Sequence, residues 1–281
     1  MSELKKTTLV DVPSKVRVPE RDLGKMPVLE VSHLGIDFGG LTAVDEFNIT
    51  MGPTEITGLI GPNGAGKTTI FNLLTKVYQP TRGSILLDGK DTHGMNTIQV
   101  NKAGIARTFQ NIRLFDKLTV EDNVKVGLHN HMGYHMGSAI LRLPRYWKEE
   151  RQAHDKAMEL LKIFDMEDLK DVPAGSLPYG VQRRLEIIRA LATEPKLLLL
   201  DEPAAGMNPS ETAELMENIA KIRDTFQIAI MLIEHDMNLV MNVCEGIAVL
   251  NFGKLIAKGT PSEIQNNEEV IEAYLGKKKG A

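Results

Sequence analysis

Nine residues, Gly61-Pro62-Asn63-Gly64-Ala65-Gly66-Lys67-Thr68-Thr69, follow the segment TEITGLI and lead directly into the helix-forming stretch KTTIFNLLTKV. Strand, glycine-rich loop and helix in this order make a phosphate-binding loop. Its glycines allow consecutive backbone N–H groups to surround phosphate oxygens at a helix N-terminus. Lys67 is then expected to reach the β and γ phosphates, Thr68 to offer its hydroxyl to magnesium, and Thr69 to start the helix. The chain is therefore read as one that binds a nucleoside triphosphate together with magnesium.

Strands alternating with helices imply a parallel sheet behind the loop. The β-type segments VLEVSHLGIDF and AVDEFNITM precede it, and SILLDGKDT follows. Towards the other end come KLLLLDE, the amphipathic stretch SETAELMENIAKIRD, IAIMLIEHD and the pair GIAVLNFGKLIAKG. From about 118 to 192 helical periodicity dominates, which reads as a lobe looped out of a core formed by 28–117 and 193–281. Residues 1–27 mix both charge signs with three prolines and have no apolar block, so they read as a flexible extension and not a secretory signal.

The apolar strand Leu197–Leu200 ends in Asp201 and Glu202. This puts two carboxylates at the carboxyl edge of a central parallel strand, where ligands bind in such sheets. Asp201 is the candidate magnesium partner. Glu202 is the candidate that orients and polarises the attacking water, because phosphoryl transfer depends on positioning and charge stabilisation.

A net charge of -4 and a pI near 6.0 give no field that would gather nucleic acid or anionic lipid. No apolar run approaches the ~20 residues needed to cross a bilayer, so a membrane role has to come through a partner. Cys244 has no second cysteine to pair with and sits in an apolar stretch, as a buried structural thiol would. His129, His131 and His135 lie among glycines and methionines with no cysteine or carboxylate joining them, and read as a polar loop and not a metal site.

Four further segments stand in a fixed order: TFQNIRLF at 108–115, LPYGVQRRLEIIRAL at 177–191, AAGMNP at 204–209 and LIEHDM at 232–237. With GPNGAGKTT and LLLLDEP, this ordered set resembles the ATP-binding subunits of ABC transporters, in the branched-chain amino-acid importer group, and the longer of that group's two ATPase components. The resemblance covers about 250 residues, from Val28 to the C-terminal helix. It implies an α/β P-loop NTPase fold, the ABC cassette, with a parallel-sheet core, an antiparallel β subdomain and the inserted helical lobe.

It also implies roles. Gln110 matches the glutamine that senses the γ-phosphate and magnesium, His235 the switch histidine that contacts the γ-phosphate, and Phe38 the aromatic that stacks on adenine. Tyr179 and Gly180 fall in the loop that closes over a partner's nucleotide. That loop departs from the general pattern: Pro178 has no hydroxyl, and Val181 stands where glutamine is usual, so phosphate contact must lean on backbone donors near Gly180 and the following helix dipole. Ser176 is expected to cap that helix, with Pro178 in its first turn. Asn208 replaces the usual aspartate that couples two nucleotide sites.

The function implied is ATP hydrolysis driving uptake of leucine, isoleucine and valine at the cytoplasmic face of the bacterial inner membrane. The partners implied are integral-membrane permease subunits, a second ATPase chain in a heterodimer or homodimer, and, indirectly, a periplasmic binding protein. A soluble ABC ATPase acting on ribosomes or DNA, an importer subunit for a different small polar solute, and a module that binds ATP without hydrolysing it are the alternatives. Neither a second cassette nor a long coiled coil supports the first of these, and intact Glu202 and His235 oppose the last.

Overall fold

The computed structural model describes residues 27–131 and 144–275, and its strands form two sheets. The first is antiparallel, in the order β2-β1-β4-β5, from β1 (Leu29–Phe38), β2 (Leu41–Met51), β4 (Arg82–Leu87) and β5 (Lys90–Asp91). The second has the order β10-β9-β3-β8-β7-β6, from β3 (Ile56–Ile60), β6 (Ile105–Arg107), β7 (Leu197–Asp201), β8 (Ala229–Ile233), β9 (Gly246–Asn251) and β10 (Lys254–Gly259). Five of its strands run parallel, and β10 closes one edge as the antiparallel arm of a hairpin with β9.

Every residue of β3, β7 and β8 is buried. Strands covered on both faces need unbroken apolar runs, and ITGLI, LLLLD and AIMLI supply them. One apolar cluster joins the inward residues of both sheets with Ile70, Phe71, Leu73 and Leu74 of the helix Lys67–Leu74.

The register across the middle of the sheet places the site. Leu59 pairs with Ile233, and Ile233 pairs with Asp201. The chain therefore leaves β3 at Gly61, β7 at Glu202 and β8 at Glu234 along one edge, with β8 between the other two.

Contacts divide the chain into two units, one reaching Arg107 and resuming at Lys196, the other spanning Thr108–Pro195. Among the described residues, the second contains the segment TFQNIRLF and the α-helices Val120–Leu128, Pro144–Ile163 and Tyr179–Leu191. Its interior is built from Val120, Val124, Leu128, Ala157, Leu161, Leu185 and Ile188. Gly127 lies so close to the Arg189 carbonyl and Ala192 that a Cβ there would collide with both, which brings two of these helices into near-backbone contact.

The helix Tyr179–Leu191 starts later than a Ser176 cap would require. Ser176 instead ends a short 3-10 turn and donates its hydroxyl to Pro173 O at 2.7 Å. The cause is Pro178: the residue before a proline is kept out of the helical region, and Leu177 is extended at φ -74°, ψ 149°.

Candidate functional site

The helix Lys67–Leu74 begins at Gly66, whose φ of 102° suits glycine and which brings no side chain to cap the helix. Asn96, Thr119, Asn208, Asp236 and Thr260 cap other helices with side chains; the helices starting at Lys67 and Tyr179 have no such cap. At these two ends no side chain competes with an anion for the first N–H groups, although Val181 N already bonds Pro178 O at 3.0 Å. Gly61 is fixed by packing, because a Cβ there would run into the Leu250 carbonyl of β9, whereas a Cβ on Gly64 would meet open space. Lys67 is buried and its ammonium donates to Gly61 O at 2.6 Å and Pro62 O at 3.0 Å. Burial lowers its pKa, while the charges of Glu202 and Asp201 oppose that shift.

At the end of β7, Asp201 is held by a residue whose role was not read from the sequence. Arg107 Nη2 lies 2.6 Å from Asp201 Oδ2, with both side chains 5% exposed. The same guanidinium donates to Asn72 Oδ1 at 2.7 Å and lies 5.4 Å from the centre of the Phe71 ring. A cation ending the short strand IAR, beside the strand that ends in Asp201, was the available sequence signal.

Glu202 follows with a left-handed φ of 47°, unusual for a residue with a Cβ, and its N–H bonds Ile233 O at 2.9 Å. That turn directs its carboxylate to His235, whose Nε2 is 3.0 Å from Glu202 Oε1. Between the two loops sits Glu234, buried to 4% exposure and likewise unassigned by the sequence reading. It accepts from Ala204 N at 2.7 Å, His235 N at 3.0 Å and Asp236 N at 3.4 Å. Burial raises its pKa, the three N–H groups work against the rise, and the Glu202 charge adds to it.

Phe38 is partly exposed at the turn between β1 and β2 and meets Tyr78 edge to face, with ring centres 5.2 Å apart. Lys67, Asp201, Glu202 and His235 thus gather at one edge of the parallel sheet, in the unit that also carries Phe38.

Gln110, Tyr179 and Gly180 belong to the second unit. Tyr179 is exposed, in the first turn of its helix. One turn on, Arg183 and Glu186 form an ion pair at 2.6 Å with neither side chain more than 1% exposed. Arg183 donates to Phe109 O, and Glu186 Oε1 accepts from Phe109 N at 3.4 Å and Arg113 N at 3.3 Å, so the pair grips the backbone on both sides of Gln110.

Asn208 caps the helix Pro209–Phe226 through a reciprocal box with Glu211, accepting from Ser210 N and Glu211 N at 3.0 Å each. Cys244 is buried, and burial drives its thiol pKa upward.

The side chains offered to a cation at this edge are oxygen donors, the exposed Thr68 hydroxyl and the Asp201 carboxylate. Magnesium takes such hard donors and needs few of them from protein when a polyphosphate supplies the rest, so the residues fit it. Among the described residues no group of three or more His, Cys, Asp or Glu could hold a metal ion. His129 opens a 3-10 turn, His129–His131, and His135 lies outside the described residues.

Comparison with known proteins agrees with this geometry. Residues 44–205 match the family model described as ABC transporter, and 254–279 match one described as branched-chain amino acid ATP-binding cassette transporter. The chain is 45% identical over 250 residues to a high-affinity branched-chain amino acid transport ATP-binding protein of Pseudomonas aeruginosa, covering 89% of this chain and 98% of that protein. A protein of the same description from Escherichia coli K12 is 46% identical over 250 residues, with the same coverage. Among solved structures, the ADP conformation of an ATP-binding cassette of an ABC transporter superposes with a TM-score of 0.78 at 28% identity, covering 90% of this chain and all of that one. With a phosphate loop, two carboxylates and a histidine on one sheet edge, and relatives matched over nearly their whole length, this chain belongs to the ABC transporter family, as one of its ATP-hydrolysing cassettes.

Proposed function

We propose that the chain is the motor subunit of an importer for branched-chain amino acids. It works at the cytoplasmic face of the bacterial inner membrane, bound to integral-membrane permease subunits and paired with a second, different ATPase chain; a periplasmic binding protein delivers the solute. Identity of 45% and 46% to relatives named for this transport supports the cargo. No described helix is long and apolar enough to cross a membrane, which fits attachment through a permease.

The observation that carries the hydrolytic reading is the 3.0 Å approach of His235 to Glu202 beside the phosphate loop. ATP lies with its adenine on Phe38 and its phosphates in Gly61–Thr69, where backbone N–H groups and Lys67 bind the β and γ oxygens. Glu202 orients a water and draws on its proton as the water oxygen attacks the γ-phosphorus; the bond to the β,γ-bridging oxygen breaks, leaving ADP and phosphate. His235 holds the Glu202 carboxylate in place and contacts the γ-phosphate. Thr68 and Asp201 are the residues that would hold magnesium, which would supply charge neutralisation for the polyphosphate. Tyr179 and Gly180 close over the nucleotide of the paired chain.

Uptake of radiolabelled leucine tests this reading. Cells lacking the chain should regain uptake with the wild-type protein and not with Glu202→Gln at equal abundance. Undiminished leucine uptake in the deletion strain would reject the cargo, and full rescue by Glu202→Gln would reject the motor.

A further inference from the structure

We infer that Glu234 is a positioning residue for hydrolysis: its buried carboxylate ties the loop after Glu202 to the loop carrying His235 and so sets the pair that acts on water. The inference rests on the roles proposed for Glu202 and His235 and adds a residue behind them.

The geometry is specific. One oxygen, Oε1, takes the N–H of Ala204, two residues beyond Glu202. The other, Oε2, takes the N–H of His235 at 3.0 Å and of Asp236 at 3.4 Å. A single side chain therefore spans the exits of β7 and β8, which the register already places side by side. On the far side of His235, Asp236 caps the helix Met237–Val243 by accepting from Asn238 N at 2.8 Å and Leu239 N at 3.3 Å. His235 is thus held at its own N–H by Glu234 and followed by an anchored turn, and this leaves its ring at the Glu202 carboxylate.

A neutral side chain would have satisfied the apolar end of β8 at lower cost, because a carboxylate at 4% exposure is expensive to keep charged. Its three backbone donors offset that cost only while both loops stay closed on it. Misplacement of a catalytic group by ~1 Å is enough to slow a reaction by about a hundredfold.

The test is a double-mutant cycle on the purified full-length chain, using Glu234→Gln, Glu234→Asp, His235→Ala and the double variant Glu234→Gln/His235→Ala, with kcat and ATP binding measured separately. The expected result is that Glu234→Gln lowers kcat by about thirtyfold or more with the ATP Kd within about twofold. Glu234→Asp, which keeps the charge but not the reach, should behave the same way, and the double variant should be no slower than His235→Ala. Unchanged ATP affinity reports that the sheet edge has folded. Wild-type kcat in Glu234→Gln, rescue by Glu234→Asp, or losses that multiply in the double variant would overturn the inference while leaving the role of His235 standing. Wild-type turnover in His235→Ala alone would instead remove the proposed role of His235, and the inference with it.

Discussion

Glu202 and His235, 33 positions apart in the chain, meet at 3.0 Å because β7 and β8 end in register and Glu202 turns into the left-handed region on leaving its strand. A left-handed non-glycine residue costs about 1–3 kcal/mol, and the fold keeps it where it aims a carboxylate at His235. Replacing that carboxylate by an amide preserves shape and removes the group proposed to draw the proton from water. Glu202→Gln should lower kcat by about 100-fold or more while ATP still binds, since Lys67 and the loop backbone are untouched. Steady-state phosphate release with parallel nucleotide binding checks this; near wild-type turnover would exclude the role.

Arg107 makes a prediction about stability. Its guanidinium and Asp201 are each 5% exposed, so removing only the cation leaves a carboxylate charged and dry. Arg107→Met should destabilise the chain by about 3 kcal/mol. Arg107→Met/Asp201→Asn should recover most of that loss, because the pair's desolvation cost disappears with both charges. Urea unfolding of the three proteins measures both values, and equal stability of the two variants would mean that the loss comes from packing and not from charge.

The phosphate loop, the parallel sheet and the Asp201-Glu202 exit were legible because each is written in contiguous residues: glycines at fixed spacing, and apolar runs that fit strands buried on both faces. Arg107 and Glu234 were not legible in that way. Each is a single charged residue at a strand end, and its meaning depends on strands adjacent in the sheet but 94 positions apart for Arg107–Asp201 and 30 for Glu234–Ala204. The Arg183–Glu186 pair sits at helical spacing, and its burial against the Phe109 and Arg113 backbone is likewise a tertiary fact. The cap assigned to Ser176 failed locally, because the proline after Leu177 delays the helix. Asn208 was read for the aspartate it replaces, while the four residues Asn-Pro-Ser-Glu already spelled a capping box.

Phe38 presents a ring that is 42% exposed, supported at its edge by Tyr78. Stacking on an aromatic ring contributes about 1 kcal/mol, so Phe38→Ala should weaken ATP binding about fivefold, with Phe38→Tyr close to wild type. Tyr78→Ala should produce a smaller loss in the same direction, since it frees the ring without removing it. Fluorescent ATP-analogue titration distinguishes these, and identical affinity in Phe38→Ala would place the base elsewhere.

Glu234 gives stability a pH dependence whose sign follows from its raised pKa. In the unfolded chain the carboxyl titrates near its ordinary 4.5, and in the fold burial moves it higher. Between those two values the native state holds a proton that the unfolded state has released. The contribution of Glu234 is therefore fully present below 4.5 and is lost as pH rises through the folded value, after which it is constant. Glu234→Gln cannot titrate, so unfolding free energies of wild type minus variant should fall as pH is raised from 4.5 and then level off. Denaturant melts of both proteins over that range give the difference directly. A difference that grows with pH would mean that the three N–H groups of Ala204, His235 and Asp236 outweigh burial and hold the carboxylate charged.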